Sequence, residues 1–188
     1  MELILAYDRK EDVRRLFREY EETIVAGDAD VQLCLDAQNY KEEADHIEEK
    51  YGLPGGRLYL AVEDGRAIGC GALRRNDDVY CELKRLFVEP EYRGRRIGKA
   101  LFDRILADAR AIGYRYIRLD TFVSLERAVA MYRRHGFYDI PKYNDNPAKT
   151  MIFLQKDLRA PGEEAPQADV ADVAAEEDGP AEDGKEAF

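Results

Sequence analysis

Two groups of residues in this chain have the types and spacing to do chemistry. The first is Leu86 to Leu101, LFVEPEYRGRRIGKAL. A β-rich run ends at Val88, Pro90 marks a turn, and Arg93, Gly94, Arg95 and Arg96 make a basic loop. Ile97, Gly98, Lys99, Ala100 and Leu101 then open an amphipathic helix. A helix N-terminus presents unpaired N–H groups and partial positive charge, so strand, loop and helix together suit a phosphorylated ligand. The second group is a carboxylate and a phenol with acid–base capacity. Glu82 lies on a largely apolar strand, where a charge needs a partner, and reads equally as a general base or as an ion pair with Lys84 or Arg85. Tyr132 shares a helical face with Leu125, Ala128 and Val129, so it is either core or a proton donor of ordinary pKa near 10.

The elements that must position these groups follow from periodicity. Glu2 to Tyr7 reads as a strand. From Asp8, a suitable N-cap, Val13, Leu16, Phe17, Tyr20 and Ile24 recur at helical spacing until Gly27. A second helical pattern runs through Leu33, Ala37, Tyr40, Ala44, Ile47 and Tyr51. It places Lys41, Glu42, Glu43, Glu48 and Glu49 on a solvated face, and Gly52 to Gly56 ends it. Arg57 to Glu63 and Ala67 to Leu73 flank Asp64-Gly65, a strong hairpin signal. Val79 to Val88 is a long strand, followed by the basic loop and a helix to about Ala111 with Gly113 as its C-cap. A strand at Tyr116–Thr121, a helix at Leu125–His135 and strands at Phe137–Ile140 and Lys149–Leu154 complete the order. It implies one α/β (α+β) domain over residues 1–158, with a mixed, mostly antiparallel twisted sheet and helices on both faces.

Composition narrows the setting. The 188 residues are 45% hydrophobic, enough for one core, and no stretch approaches the roughly 20 apolar residues of a membrane span. The N-terminus has no basic flank of a signal peptide. Cys34, Cys70 and Cys81 are odd in number and lack metal-ligand spacing, which predicts the reducing cytoplasm and no metal. From Ala160 to Phe188, ten acidic residues stand against one lysine, which is −9 of the total −10 and leaves −1 for residues 1–159. That acidic end, 159–188, has too little apolar surface to offset ordering entropy and is expected to be disordered. Lys84 to Arg104 is locally +4, which suits a small anionic ligand better than nucleic acid.

VEPEYRGRRIGKAL resembles motif A of the GNAT acetyltransferase superfamily, and LERAVAMYRRHGF resembles its motif B. The resemblance spans Leu58 to Leu154 and implies an acetyl-CoA-dependent N-acetyltransferase acting on a small-molecule or peptide amine, with a homodimer possible. It implies that Arg93, Gly94, Arg95, Arg96, Ile97, Gly98 and Lys99 hold the coenzyme pyrophosphate. The backbone of Leu86, Phe87 and Val88 then pairs with the pantetheine arm and stabilises the thioester oxygen. Tyr132 protonates the departing thiolate, and Glu82, through water, deprotonates the substrate ammonium. Two positions depart from the family pattern: Arg96 stands where glycine is usual, and Leu125 where an asparagine often contacts pantetheine. Ser124 could supply that contact. The polar loop Pro141–Pro147 borders the acceptor site in such folds, with Tyr143 and Asn144 as candidate contacts. A non-catalytic acyl-CoA sensor and a nucleic-acid-binding loop are the competing readings.

Overall fold

The computed structural model describes residues 1–25, 40–146, 148 and 150–159. The expected acidic tail, the end of the first helix at Gly27, the stretch from Leu33 that was to open the second helix, and Cys34 lie outside the described residues.

Seven strands form one sheet in the order β1-β2-β3-β4-β5-β7-β6. They are β1 (Glu2–Leu5), β2 (Arg57–Glu63), β3 (Arg66–Arg75), β4 (Tyr80–Val88), β5 (Tyr116–Phe122), β6 (Tyr138–Asp139) and β7 (Met151–Asp157). All neighbours run antiparallel except β4 and β5. The hairpin at Asp64-Gly65 forms as predicted, with φ of 50° and 79° at the two turn residues, the mirror-image turn that matches strand twist.

Helices cover both faces. On one face lie α1 (Lys10–Val25), α2 (Tyr40–Glu43) and α3 (Ile47–Tyr51). Val13, Leu16, Phe17, Ile47 and Tyr51 of these helices, with Ala44 from the turn between α2 and α3, pack on Leu58, Leu60, Cys70 and Phe87. On the other face lie α4 (Ile97–Ile112) and α5 (Glu126–Arg134). Ile97, Leu101, Phe102, Ile105 and Tyr132 there pack on Ile68, Leu73, Leu83, Ile117 and Leu154. Cys70 and Cys81 are buried free thiols in these two layers.

Several expectations need correction. The first helix begins at Lys10, so Asp8 sits in the preceding turn, not at the N-cap. The second helical pattern is broken between Glu43 and Ile47 into two short helices. Glu43 leaves the predicted solvated face: it is 2% exposed and turned inward. Its carboxylate accepts from Arg85 (Nε at 2.6 Å and Nη2 at 2.8 Å), Tyr51 Oη (2.6 Å) and Lys50 Nζ (2.9 Å). A charge can leave water only when it is paired in this way, and the helix breaks where that pairing is met.

Candidate active site

The site begins with an interruption in the sheet. β4 and β5 pair only at Tyr80–Tyr116, Cys81–Ile117 and Glu82–Arg118. Beyond those three pairs the strands part, and the edge of β4 from Leu83 to Val88 that would face β5 has no strand partner. A β-bulge sharpens the divergence. Cys70 pairs with Phe87 and Ala72 with Lys84, so β4 carries one residue more than β3 across this span. Arg85, at the bulge, has φ of 56°. Left-handed backbone costs a residue with a side chain roughly 1–2 kcal/mol, and the bidentate bond to Glu43 holds Arg85 there.

A cleft of about 490 Å³ follows the parting, lined by Tyr20, Leu86, Phe87, Val88, Arg93, Ser124 and Leu125 among others. A narrower slot of about 80 Å³ adjoins it, lined by Lys84, Arg85, Asp120, Thr121 and Tyr132 among others. Tyr20, which the sequence places on one helical face with Val13 and Phe17, belongs to the cleft wall, edge-on to Phe87 with centroids 5.8 Å apart.

At the outer end of the cleft stands the N-terminus of α4. The chain leaves β4 through Glu89 and a single 3₁₀ turn, Pro90–Tyr92. It turns at Gly94 (φ 80°) and again at Arg96 (φ 63°), the residue preceding α4. Arg96 therefore occupies a left-handed position, which explains why glycine suits it. Among the described residues, the amides of Gly94, Arg95, Arg96, Ile97, Gly98 and Lys99 meet no acceptor, and the first helical bond at this end is Ala100 N–H to Arg96 O at 3.0 Å. No side chain caps the helix and no acidic residue occupies its first turn. The three arginines diverge. Arg93 points along the cleft, donating from Nε to Val88 O at 3.0 Å and lying over the Phe87 ring. Arg95 turns away to Glu63 at 2.6 Å. Arg96 is exposed.

Tyr132 is 7% exposed and packs beside Phe102 and Phe137, so it belongs to the core as well as to the slot wall. Its hydroxyl makes no hydrogen bond to a described residue. Burial, with smaller contributions from Tyr20 and Asp120, raises its pKa and keeps the phenol protonated. Ser124 and Leu125 both line the cleft.

Glu82 makes the ion pair with Lys84 that one of its two readings expects. It is fully buried, 3.1 Å from Lys84 Nζ, and accepts from Tyr143 Oη at 2.7 Å. Arg74 Nη2 lies 2.5 Å from its other oxygen, at an angle that makes no hydrogen bond. It is absent from the residues lining the slot; the carboxylate there is Asp120. Asp120 accepts from Lys84 Nζ (2.8 Å), Asn144 Nδ2 (3.1 Å) and Asn146 Nδ2 (3.2 Å). Burial works against its charge, but Lys84 and the two amides prevail and lower its pKa. Lys84 is likewise opposed by burial and raised by Asp120 and Glu82. Sequence reasoning passed over Asp120. The available signal was an acid on the strand beside β4 at the alternation that faces Glu82 and Lys84. Tyr143 and Asn144 do reach this region, through Glu82 and Asp120 respectively. The Arg118 guanidinium lies 5.2 Å from the Tyr143 ring centroid and 3.6 Å from that of Tyr80.

Comparisons with known proteins agree with this geometry. The model of the acetyltransferase (GNAT) family matches residues 8–137. An IAA acetyltransferase of Azospirillum brasilense is 34% identical over 140 residues, covering 70% of this chain and 92% of that protein. N-acetylaspartate synthetase of Danio rerio is 31% identical over 129 residues, covering 63% of this chain and 45% of that one. In fold, the crystal structure of a GNAT-family acetyltransferase from Staphylococcus aureus Mu50 aligns with TM-score 0.69 at 24% identity, over 84% of this chain and 99% of that one. An uncapped helix N-terminus, a parted pair of parallel strands and a phenol in the opening are thus met together in a chain that belongs to the GNAT acetyltransferase family, an N-acetyltransferase with acetyl-CoA as co-substrate.

Proposed function

We propose that the enzyme transfers an acetyl group directly to a primary amine on a small molecule. The observation that carries this reading is the opening between β4 and β5, with free amides at its outer end and the unbonded Tyr132 phenol in its wall. Acetyl-CoA, when bound, supplies the thioester carbonyl that the amine attacks. The amides from Gly94 to Lys99, with Gly98 leaving room for close approach, hold its pyrophosphate, and Arg93 contributes charge beside them. The Leu86–Val88 backbone on the open edge of β4 orients the pantetheine arm. A donor from that edge stabilises negative charge as it develops on the carbonyl oxygen, an effect worth roughly 3–4 kcal/mol per donor in other enzymes. Tyr132, protonated at neutral pH, gives its proton to the leaving sulfur, and the proton that the substrate ammonium loses before attack passes to solvent water.

In this reading Glu82 serves as an anchor. Its carboxylate fixes Tyr143 and Lys84, and through Lys84 it fixes Asp120 at the slot. Asn144 and Asn146 tie the loop after Ile140 to the same Asp120. The narrow slot favours a compact amine, and the similarity to an enzyme named for making N-acetylaspartate supports a small-molecule acceptor over a protein one. The buried free thiols Cys70 and Cys81 suit a reducing compartment, the cytoplasm.

Thiol release from acetyl-CoA across a panel of small amines, amino acids and peptides tests the reading. Turnover with compact amines and none with peptides is expected. Coenzyme binding without thiol release on any amine would instead favour an acyl-CoA sensor.

A further inference from the structure

Between the two halves of the coenzyme cleft lies a buried carboxylate that the chemistry above does not use. Glu89 follows Val88 immediately and is 1% exposed. Its carboxylate is bound by Arg15 of α1 and by Arg66 of β3, the latter from Nη2 at 3.2 Å to Oε1 and 3.0 Å to Oε2. Arg15 in turn donates to Ala67 O and, at 2.8 Å, to Glu19. The Glu89 backbone is fixed as well. Its N–H donates to Ile68 O at 3.1 Å, and its carbonyl accepts from Tyr92 N–H at 3.0 Å. One residue thus joins the end of β4, the edge of β3, helix α1 and the first turn of the basic loop.

Its position gives this a consequence. Leu86, Phe87 and Val88 lie immediately before it, and the free amides begin five residues after it at Gly94. A coenzyme that engages both must find them at one fixed separation and angle. Linking two grips raises affinity by roughly 10²–10⁴ over either alone, and the gain is lost when geometry forbids simultaneous engagement. We infer that Glu89 is a positioning residue, which through Arg15 and Arg66 sets the β4 exit against the α4 N-terminus so that both grips hold one coenzyme molecule. The inference rests on the coenzyme assignment of those two segments.

The test separates joint from separate binding. Isothermal titration of the full chain with coenzyme A, with 3′-phosphoadenosine 5′-diphosphate and with pantetheine is run on wild type and on Glu89→Gln, which keeps volume and removes charge. The expected result is at least a tenfold rise in the dissociation constant for coenzyme A, with either fragment changed less than twofold. KM for acetyl-CoA should rise similarly while kcat at saturation falls less than threefold. Arg66→Gln, at a half-exposed residue, should move the same quantities in the same direction by a smaller factor, and it serves if Glu89→Gln does not fold. Unchanged coenzyme A binding overturns the role of Glu89 alone. Equal weakening of whole and fragments also overturns it, because the residue then acts as a local contact or a general support. Wild type that binds neither coenzyme A nor the diphosphate fragment overturns the coenzyme assignment itself.

Discussion

The two ends of the cleft are built on opposite plans. At the α4 end, six consecutive amides have no acceptor among the described residues, no side chain caps the helix and no acid stands in its first turn. The first turns of α1, α2, α3 and α5 all carry acidic residues. At the slot end, Glu43, Glu82, Asp120, Lys84 and Arg85 are paired several times over. One end is unsatisfied until an anion arrives. The other has its charges paired in advance and gains rigidity from that. A two-substrate site has reason to differ in this way: one end must take up a multiply charged coenzyme, while the other must hold its shape around a small amine.

Four substitutions and one change of pH break or sharpen this contrast. Tyr132→Phe removes an unbonded hydroxyl from the slot wall. Turnover measured by thiol release should fall about 100-fold, at the lower end of general acid contributions, with KM for acetyl-CoA changed less than threefold. A full-rate variant would return Tyr132 to the core alone.

The charge-paired end should declare itself in acid. Burial opposes charge on Glu43, but Arg85, Tyr51 and Lys50 win and take its pKa from 4.5 to about 2. A carboxyl whose folded-state pKa is depressed lends stability above its unfolded value, and that stability is lost as pH falls from about 4.5 toward 2. The amount is up to about 3 kcal/mol by linkage. Denaturant melts across that range should show the loss. Glu43→Gln should lower stability at pH 7 and flatten the slope.

The unsatisfied end should respond with opposite signs in stability and binding. A Cβ at Gly98 would meet only Val88 Cγ2, at 3.6 Å, so Gly98→Asp can be accommodated. Its carboxylate in the first turn of α4 should stabilise the free protein by about 0.5 kcal/mol. The same charge should weaken coenzyme A at least tenfold by competing for the amides. Gains or losses in both together would remove the anion assignment.

The smallest effect is expected at Arg96. Relieving its left-handed backbone with Arg96→Gly should add about 0.5–1 kcal/mol in a thermal melt, less than the full αL penalty because glycine loses more chain entropy on folding. Coenzyme affinity should be unchanged within a factor of two, since the amide survives.

Much of this organisation was legible in the residues because its causes are local. Asp64-Gly65 specifies its own turn, the apolar spacing of α1 and α4 specifies their buried faces, and the glycine-bearing loop before Ile97 announces an uncapped helix. Glu43 was misread for the complementary reason. Its partners Arg85 and Tyr51 lie 42 and 8 residues away, and the helical pattern alone assigns it to solvent. The bond from Tyr143 to Glu82 joins residues 61 apart, a contact that no local pattern announces. The bulge at Arg85 gave no warning, because such positions favour glycine and here an ion pair holds an arginine instead.

That bulge also fixes where the coenzyme segment can be cut. A regular strand alternates its side chains with a period of two, so one added residue exchanges inside for outside in everything after it. Lys84 and Arg85 consequently point to the same side, reaching Asp120 and Glu43, while Phe87 stays with the α1 layer and Leu86 and Val88 with the α4 layer. The run from Leu86 is therefore not a portable module. Spliced onto a strand lacking the extra residue, it would turn Phe87 toward α4 and invert the orientation of every amide on the open edge. A working graft has to start before Lys84 and bring Glu43 with it.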